Sequence, residues 1–230
     1  MEVEQQYLRS EFEQSGRVWF RQAISETDLS YFDEIAANQS KAGQRLSPSE
    51  LLSKAFSANS SLMTAIKKLD RCATPVRVVV FNKSEKANWG VPWHQDRVIA
   101  VAQKVEISGY HNWSKKSGTW HCEPPQHILE QMMFVRVHLD NTDKLNGTMR
   151  ISVGSHAKGI VPSKDAEAEA LKHPIEYCDA LRGDVLVLKM LTLHSSKPAK
   201  IKSGRRVLRI DFSASELPAP LGWTPMEREI

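Results

Sequence analysis

The chain is poor in cysteine, and the few it has are badly spaced for structural chemistry. Cys72, Cys122 and Cys178 are odd in number and far apart, and no CxxC pair occurs. That argues against a disulfide framework and a cysteine-rich zinc module, and it fits a reducing compartment. Long apolar runs are missing too, so no segment reads as a bilayer span. The charges are mixed: 31 Lys and Arg against 27 Asp and Glu leave a formal +4, scattered along the chain. Such a mild excess gives no basic stripe for nucleic acid. Phosphate-cradling motifs of the GxGxxG or GxxxxGKS/T type are absent, which removes support for a nucleotide fold. The opening MEVEQQYLRSEFEQ has no basic start followed by an apolar stretch, so it does not read as a secretory signal. These absences predict a soluble cytoplasmic protein with no membrane, nucleic-acid or obligate protein partner.

What is present is an ordinary globular composition. The 230 residues are 41% hydrophobic and 25% charged, which suits one domain with a full core. The texture changes near residue 75. Before it, patterns are mainly helical: Ser25 with Asp28 reads as an N-cap box, followed by Leu29, Phe32, Ile35 and Ala36 at helical spacing. Ser47-Pro48-Ser49-Glu50 reads as a second start, and a third helix is expected over 60–69. Arg17 to Phe20 reads as a short extended piece. From Thr74 onward, β-branched runs predict strands at 75–81, 97–103, 131–139, 147–153, 184–190 and 206–212. Short strands after a helical preface suggest an antiparallel sandwich or barrel. The expected division is a helical preface over 1–73, a β core over 74–213 and a C-terminal tail over 214–230.

The densest chemistry lies in Trp93-His94-Gln95-Asp96. On a strand, residues i and i+2 share a face, so the His94 imidazole and the Asp96 carboxylate can converge. A hundred residues on, Leu193-His194-Ser195-Ser196 supplies a third candidate ligand. Two histidines and one carboxylate on one face of a ferrous ion leave positions open for a bidentate oxo-acid and dioxygen. Taken singly, an HxD pair arises by chance and a strand-end histidine is usually packed or solvated. Arg205, eleven residues after His194, adds weight because its planar fork suits the far carboxylate of a dicarboxylic acid.

On these residues the chain resembles the phytanoyl-CoA dioxygenase family of iron(II)/2-oxoglutarate oxygenases. The likeness runs from about Val76 to Phe212. It includes the Trp93–Asp96 box, Val135-Arg136-Val137-His138-Leu139-Asp140-Asn141, Asn146-Gly147-Thr148-Met149-Arg150, Gly154-Ser155-His156, Arg182-Gly183-Asp184, His194 with Ser196, and Arg205. Val153 departs from the proline usual before Gly-Ser-His. The resemblance implies a mainly β fold with N-terminal helices, a double-stranded β-helix of the jelly-roll, cupin-like kind. It implies that His94, Asp96 and His194 bind iron(II), and that Arg205 and Ser196 hold 2-oxoglutarate, with dioxygen as the other co-substrate. Arg206 is the lesser candidate for the anchor, since neighbours on a strand face opposite ways. Gln131 and Arg136 could point into the barrel and help hold the co-substrate. The implied reaction hydroxylates, desaturates or cyclises a small molecule while 2-oxoglutarate becomes succinate.

For that small-molecule substrate, the stretch from Gly109 to Gln126 reads as a lid loop carrying Trp113 and Trp120. The alternative is that these tryptophans only pack the loop down. Trp93 and Gln95 are expected to border the pocket, Gln95 more weakly because it alternates away from His94. His111, His121 and Cys122 match no zinc spacing, and His138 and His156 read as structural. Two other classes stand beside the oxygenase. A jelly-roll binding protein without catalysis should have lost a ligand or the arginine, and none is missing. A zinc hydrolase on the same triad would lack a general base and leave Arg205 without a purpose.

Overall fold

The structure is a computed structural model and describes residues 2–37, 43–46, 49–83, 88–201 and 204–225. Four helices open the chain: α1 (Glu2–Ser15), α2 (Glu26–Ala37), α3 (Glu50–Ala55) and α4 (Ser61–Lys67). Their starts follow serine chemistry. Ser25 Oγ accepts from the Asp28 amide at 3.2 Å, Ser49 Oγ from Leu52 at 3.3 Å, and Ser60 Oγ from Met63 at 3.2 Å. The Ser25 box is only half closed. Asp28 instead accepts from the Ser61 amide at 2.6 Å, tying α2 to the start of α4. Of the second expected helix start, Ser47 and Pro48 lie outside the described residues.

Thirteen strands follow or interleave among the described residues: β1 (Arg17–Phe20), β2 (Gln44–Arg45), β3 (Thr74–Lys83), β4 (Val91–His94), β5 (Ile99–Val101), β6 (His111–Lys116), β7 (Thr119–Glu123), β8 (Met132–His138), β9 (Met149–Ser152), β10 (Ile175–Tyr177), β11 (Val185–Lys189), β12 (His194–Ser196) and β13 (Arg205–Ser213). Two short helices, α5 (Gln126–Glu130) and α6 (Ala166–Ala170), lie between them. The major sheet runs β1-β11-β8-β13-β3-β2 and the minor sheet β10-β9-β12-β4, all antiparallel. This is the double-stranded β-helix, a jelly roll. The N-terminal segment is not only helical, because β1 and β2 form the edges of the major sheet.

Alternation divides the major sheet into two unlike faces. Val78 and Val80 of β3, Val135 and Val137 of β8, and Leu208, Ile210 and Phe212 of β13 face the helices. There they pack with Leu29, Phe32, Leu52, Leu62 and Ile66. The opposite face carries Arg77 and Lys83, Arg136 and His138, and Arg205, Arg209 and Asp211, all buried. Register places Lys83 across from Arg205, Arg77 across from Asp211, and Arg136 across from Arg209. The same face carries Phe134, Leu186 and Leu188 of the second apolar cluster, so core and buried charge divide it between them, and the charged part marks a site.

The expected lid loop is a hairpin. β6 and β7 pair through Ser117 and Gly118, whose φ of 50° and 83° suit a two-residue turn that splays neither strand. With β5 they make a third sheet, ordered β5-β7-β6. The described part of the tail packs against the core: Leu217 and Leu221 are buried in the second apolar cluster, and Trp223 bridges to Val101. No described helix is long and apolar enough to cross a membrane.

Candidate active site

β4 and β12 pair antiparallel in the minor sheet with His94 directly opposite His194. Asp96 follows just past the end of β4, two residues on. The His94 Nδ1 lies 2.9 Å from the Pro92 carbonyl, and the His194 Nδ1 lies 2.9 Å from the Thr192 carbonyl. A carbonyl can only accept, so each Nδ1 carries the proton and each Nε2 presents a lone pair. The two ring centroids are 4.2 Å apart, and His194 Nε2 lies 3.1 Å from Asp96 Oδ2. One ligand atom from each of the three residues lies within 4.8 Å of the others. Backbone carbonyls fixing the outer nitrogens are the usual support for metal-bound histidines. The donor set thus fits a divalent iron, with three sides left open.

A line of alternating charges runs back from Asp96. Arg209 bonds the Asp96 carboxylate and donates through Nε to Asp211 Oδ1 at 2.8 Å, and Arg77 Nε donates to Asp211 Oδ2 at 2.5 Å. Burial alone would raise the Asp96 pKa, but Arg209 and then His194 outweigh it and hold the carboxyl well below its ordinary range. Burial, and then the neighbouring His194, push His94 down to about 4. Both groups therefore stand ready as ligands at neutral pH without first losing a proton.

These residues line a cavity of about 230 Å³ between the two sheets. Phe81, Lys83, Trp89, Val91, Arg136, Met149, Ser195, Ser196, Arg205 and Arg209 line the rest. Arg205 is buried there, and its Nη1 donates to the Gly147 carbonyl at 2.6 Å. Its Nε is buried without a partner among the described residues. Ser196, two residues after His194, lines the same space.

Other expected residues are not brought to this cavity. Gln131 caps the end of α5 and accepts from Ser215 Oγ at 2.6 Å on the outside. It lies five residues from Arg136, so the two could never share a face of one regular strand. Arg206 turns outward, to Asp140 at 2.7 Å and Asp33 at 2.9 Å. Trp93 is buried with Leu193 and Val161 beside the minor sheet. Gln95 is a structural clamp: its Nε2 donates to the Leu191 and Gly159 carbonyls, and its Oε1 accepts from the Val161 amide. Trp113 and Trp120 sit on the hairpin and pack partly buried against the second apolar cluster. Sequence reasoning in turn passed over Lys83, Trp89 and Arg209. The signal was a charged residue at alternate positions in otherwise apolar strands, as in Arg77, Lys83, Arg205, Arg209 and Asp211.

Of the remaining histidines, His138 is buried with Nδ1 on the Asp184 carbonyl at 3.2 Å, and His156 Nε2 meets the Glu13 carbonyl at 3.0 Å. His121 and Cys122 are buried while His111 is exposed. Among the described residues the one cluster able to hold a metal is His94, Asp96 and His194.

The family model described as phytanoyl-CoA dioxygenase (PhyH) matches residues 11–207. The chain belongs to the phytanoyl-CoA dioxygenase family. Membership makes it an enzyme of the iron- and 2-oxoglutarate-dependent class, with dioxygen as co-substrate. Solved structures share the fold at low identity. The epimerase SnoN, in complex with Fe3+, alpha-ketoglutarate and nogalamycin RO, matches at TM-score 0.68 and 12% identity, over 98% of this chain and 88% of that one. The carbocyclase SnoK from nogalamycin biosynthesis matches at TM-score 0.62 and 13% identity, over 95% and 86%. EctD from S. alaskensis in its apoform matches at TM-score 0.62 and 14% identity, over 96% and 80%. No curated protein matches the chain.

Proposed function

We propose that this phytanoyl-CoA dioxygenase family member oxidises a C–H bond of a small molecule, by hydroxylation, desaturation or cyclisation, with 2-oxoglutarate converted to succinate. His94, Asp96 and His194 would hold iron(II), and Arg205 with Ser196 would hold the far carboxylate of 2-oxoglutarate. The observation that carries this reading is the meeting of that triplet and a buried, partly unpartnered arginine in one cavity. Iron with dioxygen and the oxo-acid supplies a strong oxidant of C–H bonds and releases carbon dioxide. The chain's own share is positional. Pro92 and Thr192 aim the two imidazoles, Arg209 orients the Asp96 carboxylate, and the apolar walls at Phe81, Val91 and Met149 exclude water.

The cavity's modest size supports a small substrate or the end of one. The related folds include an epimerase and a carbocyclase, so outcomes other than hydroxylation belong to the reading. All three cysteines are free, which supports a cytoplasmic setting, and we read the whole chain as one oxygenase domain. Succinate formation from 2-oxoglutarate under air, with iron(II), tests the reading. The expected result is slow succinate release by the wild type that disappears in His194→Ala. Succinate formation that persists at the same rate in His194→Ala would sink it.

A further inference from the structure

The β5-β7-β6 sheet begins just after Asp96 and carries a buried acceptor that no described residue answers. Arg97, next after Asp96, pairs with Glu123 at 3.1 Å and so ties β7 to the metal loop. Alternation puts His121 on the same face of β7 as Glu123, and register sets it opposite Ala100 of β5. His121 is fully buried. Its Nδ1 lies 3.0 Å from the Thr119 carbonyl, so the proton sits there and Nε2 keeps its lone pair. That Nε2 is buried with no partner among the described residues.

Arg45 approaches the same place from the major sheet. It pairs with Val79, and Val79 pairs with Arg209, so the three form one row across β2, β3 and β13 on the cavity face. The row runs from the sheet edge to Asp96, which Arg209 bonds. Burial, and then the neighbouring charge of Arg45, lower His121 to about 4. Arg77 and Arg209 share Asp211, whereas Arg45 forms no ion pair among the described residues and its Nε is buried without a partner. A buried donor and a buried acceptor left unmet are each unfavourable, and these two have not closed on one another. Arg45 is only half-buried, and the Asp96 side chain beside its row is 28% exposed, so solutes can reach this place. A molecule that brings an acceptor for Arg45 and a donor for His121 meets both.

We propose that Arg45 and His121 bind the primary substrate, and that this substrate is a small hydroxy acid or amino acid. Its carboxylate accepts from the Arg45 guanidinium, and its hydroxyl or amine donates to His121 Nε2. The long Arg45 side chain turns onto the acid and uncovers the imidazole, while Arg209 stays on Asp96. The inference rests on the functional reading above for the reaction and deepens it by naming the substrate class. The co-substrate keeps to Arg205, further along β13 than the row that holds Arg45.

Anaerobic calorimetry on the full chain tests this, with iron(II) and saturating 2-oxoglutarate present so that the probes are kept off Arg205. The probes are α-hydroxyisocaproate, isocaproate without the hydroxyl, α-hydroxyisocaproamide without the charge, and glycerol phosphate. The wild type should bind the hydroxy acid at least about tenfold more tightly than isocaproate or the amide, the scale of a buried or charge-assisted hydrogen bond. Arg45→Gln should erase the preference for acid over amide. His121→Leu should erase the preference for the hydroxyl, while His121→Gln, which keeps an acceptor, retains part of it. Should Arg45→Gln fail to fold, the two His121 variants carry the same test. These preferences without any succinate formed under air would leave the site standing and remove the oxygenase reading. Succinate formed, with preferences that survive in both Arg45→Gln and His121→Leu, would keep the oxygenase reading and overturn the site. A wild type that does not distinguish the hydroxy acid from its amide, or that binds glycerol phosphate more tightly, would overturn the substrate class.

Discussion

Along β13, Leu208, Ile210 and Phe212 turn toward the helices, while Arg205, Arg209 and Asp211 turn toward the cavity, and both sets are buried. Neighbouring residues on one strand thus live in opposite environments. On the helix side every contact is made by the chain itself, so the stabilisation is complete on folding. On the cavity side Arg209 and Asp211 satisfy each other with Asp96 and Arg77, yet Arg205, Arg136 and Lys83 meet no counter-charge among the described residues. The comparison teaches where folding and function separate: one face is finished without a ligand, and the other is finished by one.

The largest effect should follow from emptying the metal site. His94→Ala or His194→Ala is expected to abolish iron(II) binding and turnover while the thermal midpoint of the metal-free protein moves by only a few degrees. The opposite pattern is expected on the helix side. Phe212→Ala should cost about 3–5 kcal/mol in denaturant unfolding, the usual range for emptying a buried aromatic site. A similar loss, also about 3–5 kcal/mol, is expected for Asp211→Asn, which strips the shared partner of Arg77 and Arg209. If Asp211→Asn proves neutral, the charge line is not what orders this end of the sheet.

Arg205→Met should sharpen the contrast further. Removing a buried cation that lacks a carboxylate partner is expected to leave stability unchanged or slightly raised. The 2-oxoglutarate concentration needed for half-maximal succinate formation should meanwhile rise about tenfold or more, the scale of a charge-assisted pair. The smallest effect is one of pH. Lys83 faces Arg205 from β13, Arg136 from β8, the Trp89 ring and the Lys197 carbonyl, and its pKa is lowered to about 8. Its ammonium is intact below that value and lost above it. The affinity for 2-oxoglutarate should therefore be flat from pH 6.5 to 7.5 and weaken above about 8. Lys83→Met should remove that step.

Much of the candidate site was legible because its chemistry is local or ordered along the chain. His94 and Asp96 announce themselves by i, i+2 spacing, and Ser196 and Arg205 follow His194 at intervals that strands preserve. The helix starts were legible because Ser25, Ser49 and Ser60 act through amides only three residues away. What stayed hidden needed register. Lys83 and Arg209 are ordinary surface-type residues until β3 and β13 are aligned, and Gln131 lies outside the cavity because a short helix ends where the sequence predicts a strand to begin. The hairpin over 111–123 reads as a loop when Gly118 and the following Pro124-Pro125 are weighed as breakers alone. Ser117-Gly118 between alternating residues is a turn signal in its own right. Trp93 and Gln95 lie away from the cavity for a different reason: chain proximity to His94 does not decide which side of β4 opens onto it.

The most direct test of the central claim is anaerobic titration of the protein with iron(II) and then 2-oxoglutarate, followed by visible absorption. The account predicts a weak charge-transfer band that needs both components, vanishes in His194→Ala and requires far more 2-oxoglutarate in Arg205→Met. Tight iron binding with no band at any 2-oxoglutarate concentration would contradict it and leave a jelly roll that binds metal without the oxidative chemistry.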